Sequence, residues 1–500
     1  MDLPMHWPMD TDDVAHEKRE VIQDFWRALL LDPEIFNETG VFLAEHCSPR
    51  QGVEFVLFRS GGYNISFLMT FTAGTDSGGK MLRFPIAGAN MFPEEKVRNE
   101  VSIIQFISEK TSNGIIPIPV PTISGWGQRS ESPANLGPYI IMDYIDHKRS
   151  IGELLEKPGR QPDDRPELNP DMSIPRLKAL YRELANVVFS LSTLSLNRIG
   201  SLKQTSSSTS SSSTWEVIYP PLSLSMNELV GIGTLPQSKI PSTTYNSASS
   251  YFEALAELHI QHLKHQRNDA ITSADDCRRK FVARFLFRKL IWYQELKEQW
   301  INHEDGPFPV WCDDLRPESF LVDEAEKTTG VVDWEFAYTA PVEFSNAPPW
   351  WLILRSPDRW LKGLDDWCIE YEKRLPIFLQ AMRECEEEVF QARNERLEEH
   401  QRLSTRMKDS WESGDFWIVY AARSDFFFDA IYWNRIDERF FGRHDGELCD
   451  VWKERLDLLT PEEEATMEEY VALKLQENKT RVLAWDPDAY TLECMAKIDA

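Results

Sequence analysis

The sequence predicts an α+β chain in two lobes, a small β-rich lobe leading into a larger helical one. Three observations predict it. Short runs rich in β-branched and aromatic residues gather between residues 53 and 84. Helix-period apolar patterns dominate most of the remaining chain. A chain of 500 residues is too long for one compact core, and its 42% hydrophobic content suffices to bury two.

In order along the chain, residues 13–31 place Val14, Ile22, Phe25, Trp26, Leu29 and Leu30 between charges, a helix ahead of the first sheet. Residues 53–58 and 64–72 read as strands joined by a tight turn, Ser60-Gly61-Gly62-Tyr63. Met81-Leu82-Arg83-Phe84 supplies a third strand, and residues 94–110 a charged helix carrying Val101, Ile104 and Phe106. Residues 139–145, an apolar run ending in Met142-Asp143-Tyr144-Ile145, suit a buried strand that runs out into the link between lobes. Residues 157–175 are rich in Pro, Asp and Arg without periodicity and read as a surface excursion.

Residues 177–196 and 249–265 are helical in pattern, and the nearly pure Ser/Thr stretch 206–213 between them cannot bury a core. It is expected to be a disordered insertion, spanning about 204–214, inside one domain. Beyond residue 344 come four tryptophans, long charged helices over 373–408 and an aromatic segment over 416–441. An acidic stretch at 461–469 opens a final helix expected to be peripheral. The expected division is an N-terminal helical extension (1–48), a small lobe (49–145), a large lobe (146–345) and its helical continuation with an acidic tail (346–500).

Lys and Arg number 54 against 81 Asp and Glu, a net charge of −27, which argues against nucleic acid or an anionic membrane as a general partner. Seven scattered cysteines without a C-x-x-C pair suggest reduced intracellular thiols. With no signal-peptide pattern and no apolar stretch near the ~20 residues needed to span a bilayer, a cytosolic protein is expected.

The chemistry-bearing segments are W-C-D-D-L-R-P-E-S-F-L-V-D at 311–323 and G-V-V-D-W-E-F at 330–336. They set Asp314 and Asp333 at the two ends of a hairpin-like segment, through Phe320-Leu321-Val322 and a turn. Two such carboxylates can divide labour: one takes or aligns a hydroxyl proton, the other holds a metal that neutralises phosphate.

The first segment resembles the H-G-D-x-x-x-x-N catalytic loop of aminoglycoside-phosphotransferase-like small-molecule kinases, and the second their I-D-W/F metal segment. His-Gly is replaced by Cys312-Asp313, a form associated with fungal members, and the Asn by Ser319. The resemblance implies a two-lobed protein-kinase-like fold binding ATP and Mg²⁺ and moving a γ-phosphoryl group to a small-molecule hydroxyl. It assigns Asp314 as the catalytic residue and Asp333 with Ser319 as metal ligands. Arg83 would face the phosphates, held by Glu100, and Met142 and Tyr144 of the link would meet the adenine. A hydroxyl is a shorter and weaker Mg²⁺ ligand than an amide carbonyl, so a catalytically impaired nucleotide- or partner-binding protein is the alternative.

Other candidates keep two readings. Gly61, Gly62 and Asn64 could cradle phosphates or simply close a hairpin. Arg83 and Glu100 could serve phosphate or form an ordinary ion pair. Arg316 could contact phosphate and screen the acidic cluster, or only pair with Asp313 or Glu335. His259, His262 and His265 could ligate a metal or line a solvated helix face. The tryptophans are core anchors in the main, although Trp350 and Trp351 could border an acceptor pocket.

Overall fold

The structure, a computed structural model, describes residues 12–47, 52–71, 78–160, 165–206, 213–233, 235–394 and 396–499. The small lobe begins with helices α1 (Asp13–Leu30) and α2 (Pro33–His46). Asp12 caps α1 by accepting the Ala15 N–H at 3.0 Å, and Ile22, Trp26 and Leu30, four residues apart, form its buried stripe. Strands β1 (Gly52–Ser60), β2 (Asn64–Phe71) and β3 (Gly79–Pro85) follow, then helix α3 (Pro93–Ser112) and strands β4 (Ile123–Gly127) and β5 (Tyr139–Asp143). The five strands form one antiparallel sheet in the order β1-β2-β3-β5-β4.

Helix α3 begins at Pro93, which needs no N–H partner, with Glu94 and Glu95 at its positive end. It is buried on two sides. Val97 and Val101 pack against Ile140 and Met142 of β5, while Ile103, Ile104 and Ile107 enter the core of the large lobe. That double burial ties α3 to the sheet of the small lobe and to the core of the large one.

The large lobe opens with β6 (Arg149–Ser150), α4 (Ile151–Leu155), α5 (Ile174–Thr193) and β7 (Ser195–Leu196). A hairpin of β8 (Ser201–Ser206) and β9 (Ser213–Tyr219) leads to α6 (Leu224–Gly231), α7 (Ala248–His265) and α8 (Ala274–Trp292). Of the Ser-rich insertion expected over about 204–214, residues 207–212 lie outside the described residues, whereas its flanks are the paired ends of this hairpin, Gln204 opposite Trp215 and Thr205 opposite Thr214. Strand β10 (Phe308–Cys312) pairs with β13 (Ala337–Thr339), and β11 (Phe320–Val322) with β12 (Thr328–Val331), so the two motif segments hang from neighbouring short sheets. The architecture is the α+β, two-lobed, protein-kinase-like one that the sequence predicts.

One expectation is corrected. The helix opened at Pro461 (Pro461–Glu477) is not the last, and the chain end is not peripheral to the large lobe. A further helix, Ala489–Ile498, returns to the small lobe, where Tyr490 and Cys494 join the core of Trp26, Leu136 and Ile141. Tyr490 meets the edge of Trp26 at 6.2 Å between centroids and lies under the Arg129 guanidinium at 4.8 Å. Tyr490→Ala is expected to lower the unfolding free energy of the small lobe by about 3 kcal/mol, read from urea titrations. No loss would leave the returning helix without a structural role.

Candidate functional site

The segment between β12 and β13 carries Asp333 through a sharp reversal. Asp333 and Phe336 both take left-handed backbone angles, φ 59° and 58°, costly for residues that are not glycine. The reversal is tied from both sides: Val332 N–H donates to Ser319 C=O at 2.9 Å, and Asp313 N–H to Phe336 C=O at 3.2 Å. It turns Asp333 and Glu335 toward the sheet.

A cavity of about 320 Å³ lies there, between the sheet and the large lobe. One end is apolar, with Met81, Ile104, Pro121, Met142, Leu321 and Val332, and is flanked by the rings of Phe58, Tyr144 and His147. The other end is charged. There Arg83 bonds Glu100 and reaches Asp333 Oδ1 at 3.3 Å. Lys96, only 2% exposed, pairs with Glu335 and donates to Asn64 Oδ1 at 2.7 Å. Asn64 in turn donates to Glu335 at 2.9 Å.

The electrostatics follow from this layout. Burial pushes the Asp314 carboxyl up to about 7, with Glu335, Asp333 and Asp313 adding to the rise and Arg316, at 3.0 Å, opposing it. Burial raises Asp333 as well, against the pull of Arg83. Glu335 is held below the usual carboxylate range, because Lys96, Arg83 and the Asn64 hydrogen bond outweigh its burial.

Of the predicted site residues, Gly61, Gly62, Asn64, Arg83, Glu100, Met142, Tyr144, Asp314, Arg316 and Asp333 all line this cavity. Ser319 does not. It is 3% exposed in the turn Pro317–Ser319, its N–H on Arg316 C=O at 2.9 Å, so the motif position that would supply a second ligand lies behind the wall.

Finer expectations change as well. Tyr144 gives its N–H to Gly79 C=O at 2.9 Å, so its ring, not its backbone donor, faces the cavity. Asn64 spends its amide on Lys96 and Glu335 and acts as a tie. Gly61 gives its N–H to Asn64 C=O at 2.9 Å, whereas a Cβ added to Gly62 would meet nothing within 4 Å, which leaves open space over that stretch of backbone. Arg316 pairs with Asp314, and neither Asp313 nor Glu335 is its partner; Asp313 is taken by Arg423 at 2.8 Å and Trp311 at 2.7 Å.

Lys96 is the residue the sequence reading missed. Its spacing of four from Glu100 places both on one face of α3, and that was the available signal. The three histidines of α7 do not gather into a ligand set. His259 lies 2.8 Å from Asp425, His262 is buried beside Phe426 with its pKa pushed down to about 3, and His265 bonds Gln261 C=O. Among the described residues, no group of three or more His, Cys, Asp or Glu could hold a metal ion.

A second cavity, about 500 Å³, opens on the far side of Tyr63, Asp314 and Arg316, which line both spaces. Trp350 and Tyr420 are on its wall. Asp314 is therefore reachable from two chambers.

No family model matches the chain, and no curated protein does. Among solved structures, it is similar to an ethanolamine kinase from Plasmodium vivax (12% identity, 90% of this chain and 95% of that one, TM-score 0.39). It is also similar to a thermostable mutant of an aminoglycoside phosphotransferase in complex with ADP and hygromycin B (14%, 79% and 97%, 0.38). A choline kinase from Cryptosporidium parvum gives 12%, 89% and 99%, and 0.37. Among the described residues no helix is long and apolar enough to cross a membrane.

Proposed function

We propose that the chain is an ATP-dependent phosphotransferase of the aminoglycoside-phosphotransferase-like group, acting in the cytosol on the hydroxyl of a small molecule. The observation that carries the reading is the position of Asp314 in the wall shared by two cavities, one with an apolar end and a charged end as a nucleotide requires. The base of ATP would occupy the apolar end beside Met142 and the Tyr144 ring, and its phosphates the end near Gly62 and Arg83. The acceptor would enter from the second cavity. We place the nucleotide-binding lobe at residues 49–145 with the returning helix as its brace.

In the step itself, the acceptor oxygen forms a bond to the γ-phosphorus as the bond to the β,γ-bridging oxygen breaks. The bonding pair leaves on ADP, and the hydroxyl proton passes to Asp314. A carboxylate with a pKa near 7 suits that task, being both deprotonated in good part and basic enough to take a proton. Arg316 orients it. The carboxylate oxygens of Asp333, 39% exposed on the cavity, form a hard donor set fit for Mg²⁺ shared with phosphate, and the bound ion would supply neutralisation of the phosphate charge.

Thermal unfolding with ATP tests the reading. MgATP is expected to raise the midpoint by about 3 °C, ATP with EDTA by clearly less, and Asp333→Ala to abolish the difference. Absence of any nucleotide shift would sink the proposal. The second reading, a nucleotide-binding protein without turnover, is favoured by the place of Ser319 behind the wall and by the cations already on Asp333 and Glu335. It predicts an ATP shift that is indifferent to Mg²⁺ and no ATP consumption with any acceptor.

A further inference from the structure

The second cavity carries more information than its contact with Asp314. The acidic total of the chain suggests a negative chamber suited to amines or amino sugars. Its wall is arranged otherwise. Five carboxylates border it, and each is engaged within the protein. Asp313 is held by Arg423 and Asp314 by Arg316. Glu228 is met from behind by Arg19 at 3.3 Å and by the Tyr63 hydroxyl, and Asp425 by His259 and the Ser225 hydroxyl. Asp358 accepts from the Tyr420 hydroxyl at 2.9 Å and lies 3.5 Å from Arg359.

Arg316 and Arg423 are spent on those carboxylates, but the other three guanidiniums of the same wall, Arg165, Arg355 and Arg359, are not used up. Arg355 donates only to backbone carbonyls, Pro166 at 2.8 Å and Arg165 at 3.2 Å, and no carboxylate bonds it among the described residues. Arg165 is exposed, also without a bonded carboxylate among the described residues. Arg359, 55% exposed, lines the same cavity with one carboxylate to share. The lining of one cavity thus combines the carboxylate of Asp314 with spare, planar, permanently charged donors and the aromatic side chains of Trp350, Phe426 and Phe427.

We infer that the acceptor is a hydroxylated organic anion, a carboxylate or a phosphomonoester, bound through its charged group by Arg165, Arg355 and Arg359 while its hydroxyl meets Asp314. This rests on the phosphotransferase reading only for the hydroxyl's fate. The anion site itself stands on the guanidiniums.

The test is thermal unfolding of the full chain at constant ionic strength with 5′-adenylyl imidodiphosphate and Mg²⁺ present throughout. The probes are tartrate, glycerol 3-phosphate, choline and ethanolamine, each at about 10 mM. Tartrate or glycerol 3-phosphate is expected to raise the midpoint by about 2 °C more than sodium chloride does, with the two cations inert. The larger of the two anion shifts names the headgroup. Arg165→Met, an exposed change that leaves the Arg355 bonds to backbone intact, is expected to cut the anion shift by half or more while the nucleotide shift stays. Arg355→Lys, which keeps charge but loses the planar fork, is expected to do the same. An anion shift absent from the wild type, unaltered in both variants, or exceeded by that of choline or ethanolamine overturns the inference. Loss of the nucleotide shift alone, with the anion shift and its Arg165 dependence intact, would strike the phosphotransferase reading instead.

Discussion

Asp314→Asn is expected to abolish phosphoryl transfer, by about 10²- to 10⁴-fold in kcat, and at the same time to make the protein more stable at pH 8. The two effects have one cause. A carboxyl raised from 3.8 to about 7 binds its proton more tightly in the folded state than in the unfolded one. Its contribution is fully present below pH 3.8 and is lost as pH rises through about 7, a fall on the order of 4 kcal/mol for a shift of roughly three pKa units. The amide has no proton to lose and escapes that fall.

The charged groups facing Asp314 are Arg316, Glu335, Asp333 and Asp313, with the Tyr63 hydroxyl and the Cys312 thiol beside them, and an isosteric amide leaves all six in place. Urea titrations of both proteins between pH 4 and 8 are the measurement. The variant should gain on the wild type from pH 4 to about pH 7 and level off above it. Equal slopes would mean that Asp314 ionises like a surface carboxylate, and a variant with full activity would remove it from the transfer step.

What was legible in the sequence divides along physical lines. Strands β1 to β3 declare themselves as short runs rich in β-branched and aromatic residues separated by turn residues such as Gly61-Gly62, and helix α3 by apolar residues at helical spacing among its charges. Asp314 and Asp333 declare themselves through motif spacing alone. Helix α8 is silent for the opposite reason: it buries Arg279, Lys280, Arg284 and Lys289 along with its aromatics and so shows no stripe. Two of those charges are satisfied by distant partners, Arg284 by Asp429 and the His259 carbonyl, Lys289 by Glu463 and the Leu458 carbonyl, while Arg279 and Lys280 pair with Asp276 of the same helix. Strand β4, Ile-Ser-Gly-Trp-Gly, has too few strand-forming residues to be read before its pairing with β5 is known. Lys96 is the instructive case at the site, because an isolated lysine on a charged helix reads as solvated until the fold supplies a buried carboxylate for it.

Lys96→Met is accordingly expected to be the most destabilising single change in the small lobe, at about 3–5 kcal/mol. The lysine is not a surface partner that water can replace: it is 2% exposed, and its ammonium faces Glu335, Asn64 and the Phe336 ring at 5.9 Å. Methionine fills the volume but leaves the Glu335 carboxylate buried, with the Asn64 amide as its remaining hydrogen-bond donor. Glu335 would then protonate more readily, so the loss should be greatest above the normal carboxylate range and shrink as pH falls through it.

The double change Lys96→Met with Glu335→Gln removes both charges and is expected to recover much of the loss, giving a coupling energy that a double-mutant cycle reads directly. Recovery of stability need not restore ligand binding. Asn64 belongs to the glycine turn, Lys96 to α3 and Glu335 to the Asp333 reversal, so their triad fixes three elements of the cavity in one register. A stable double variant that has lost its nucleotide shift would show that the buried pair holds the shape of the cleft as well as the fold. Additive single changes, with no coupling between residues 96 and 335, would show that the triad does neither.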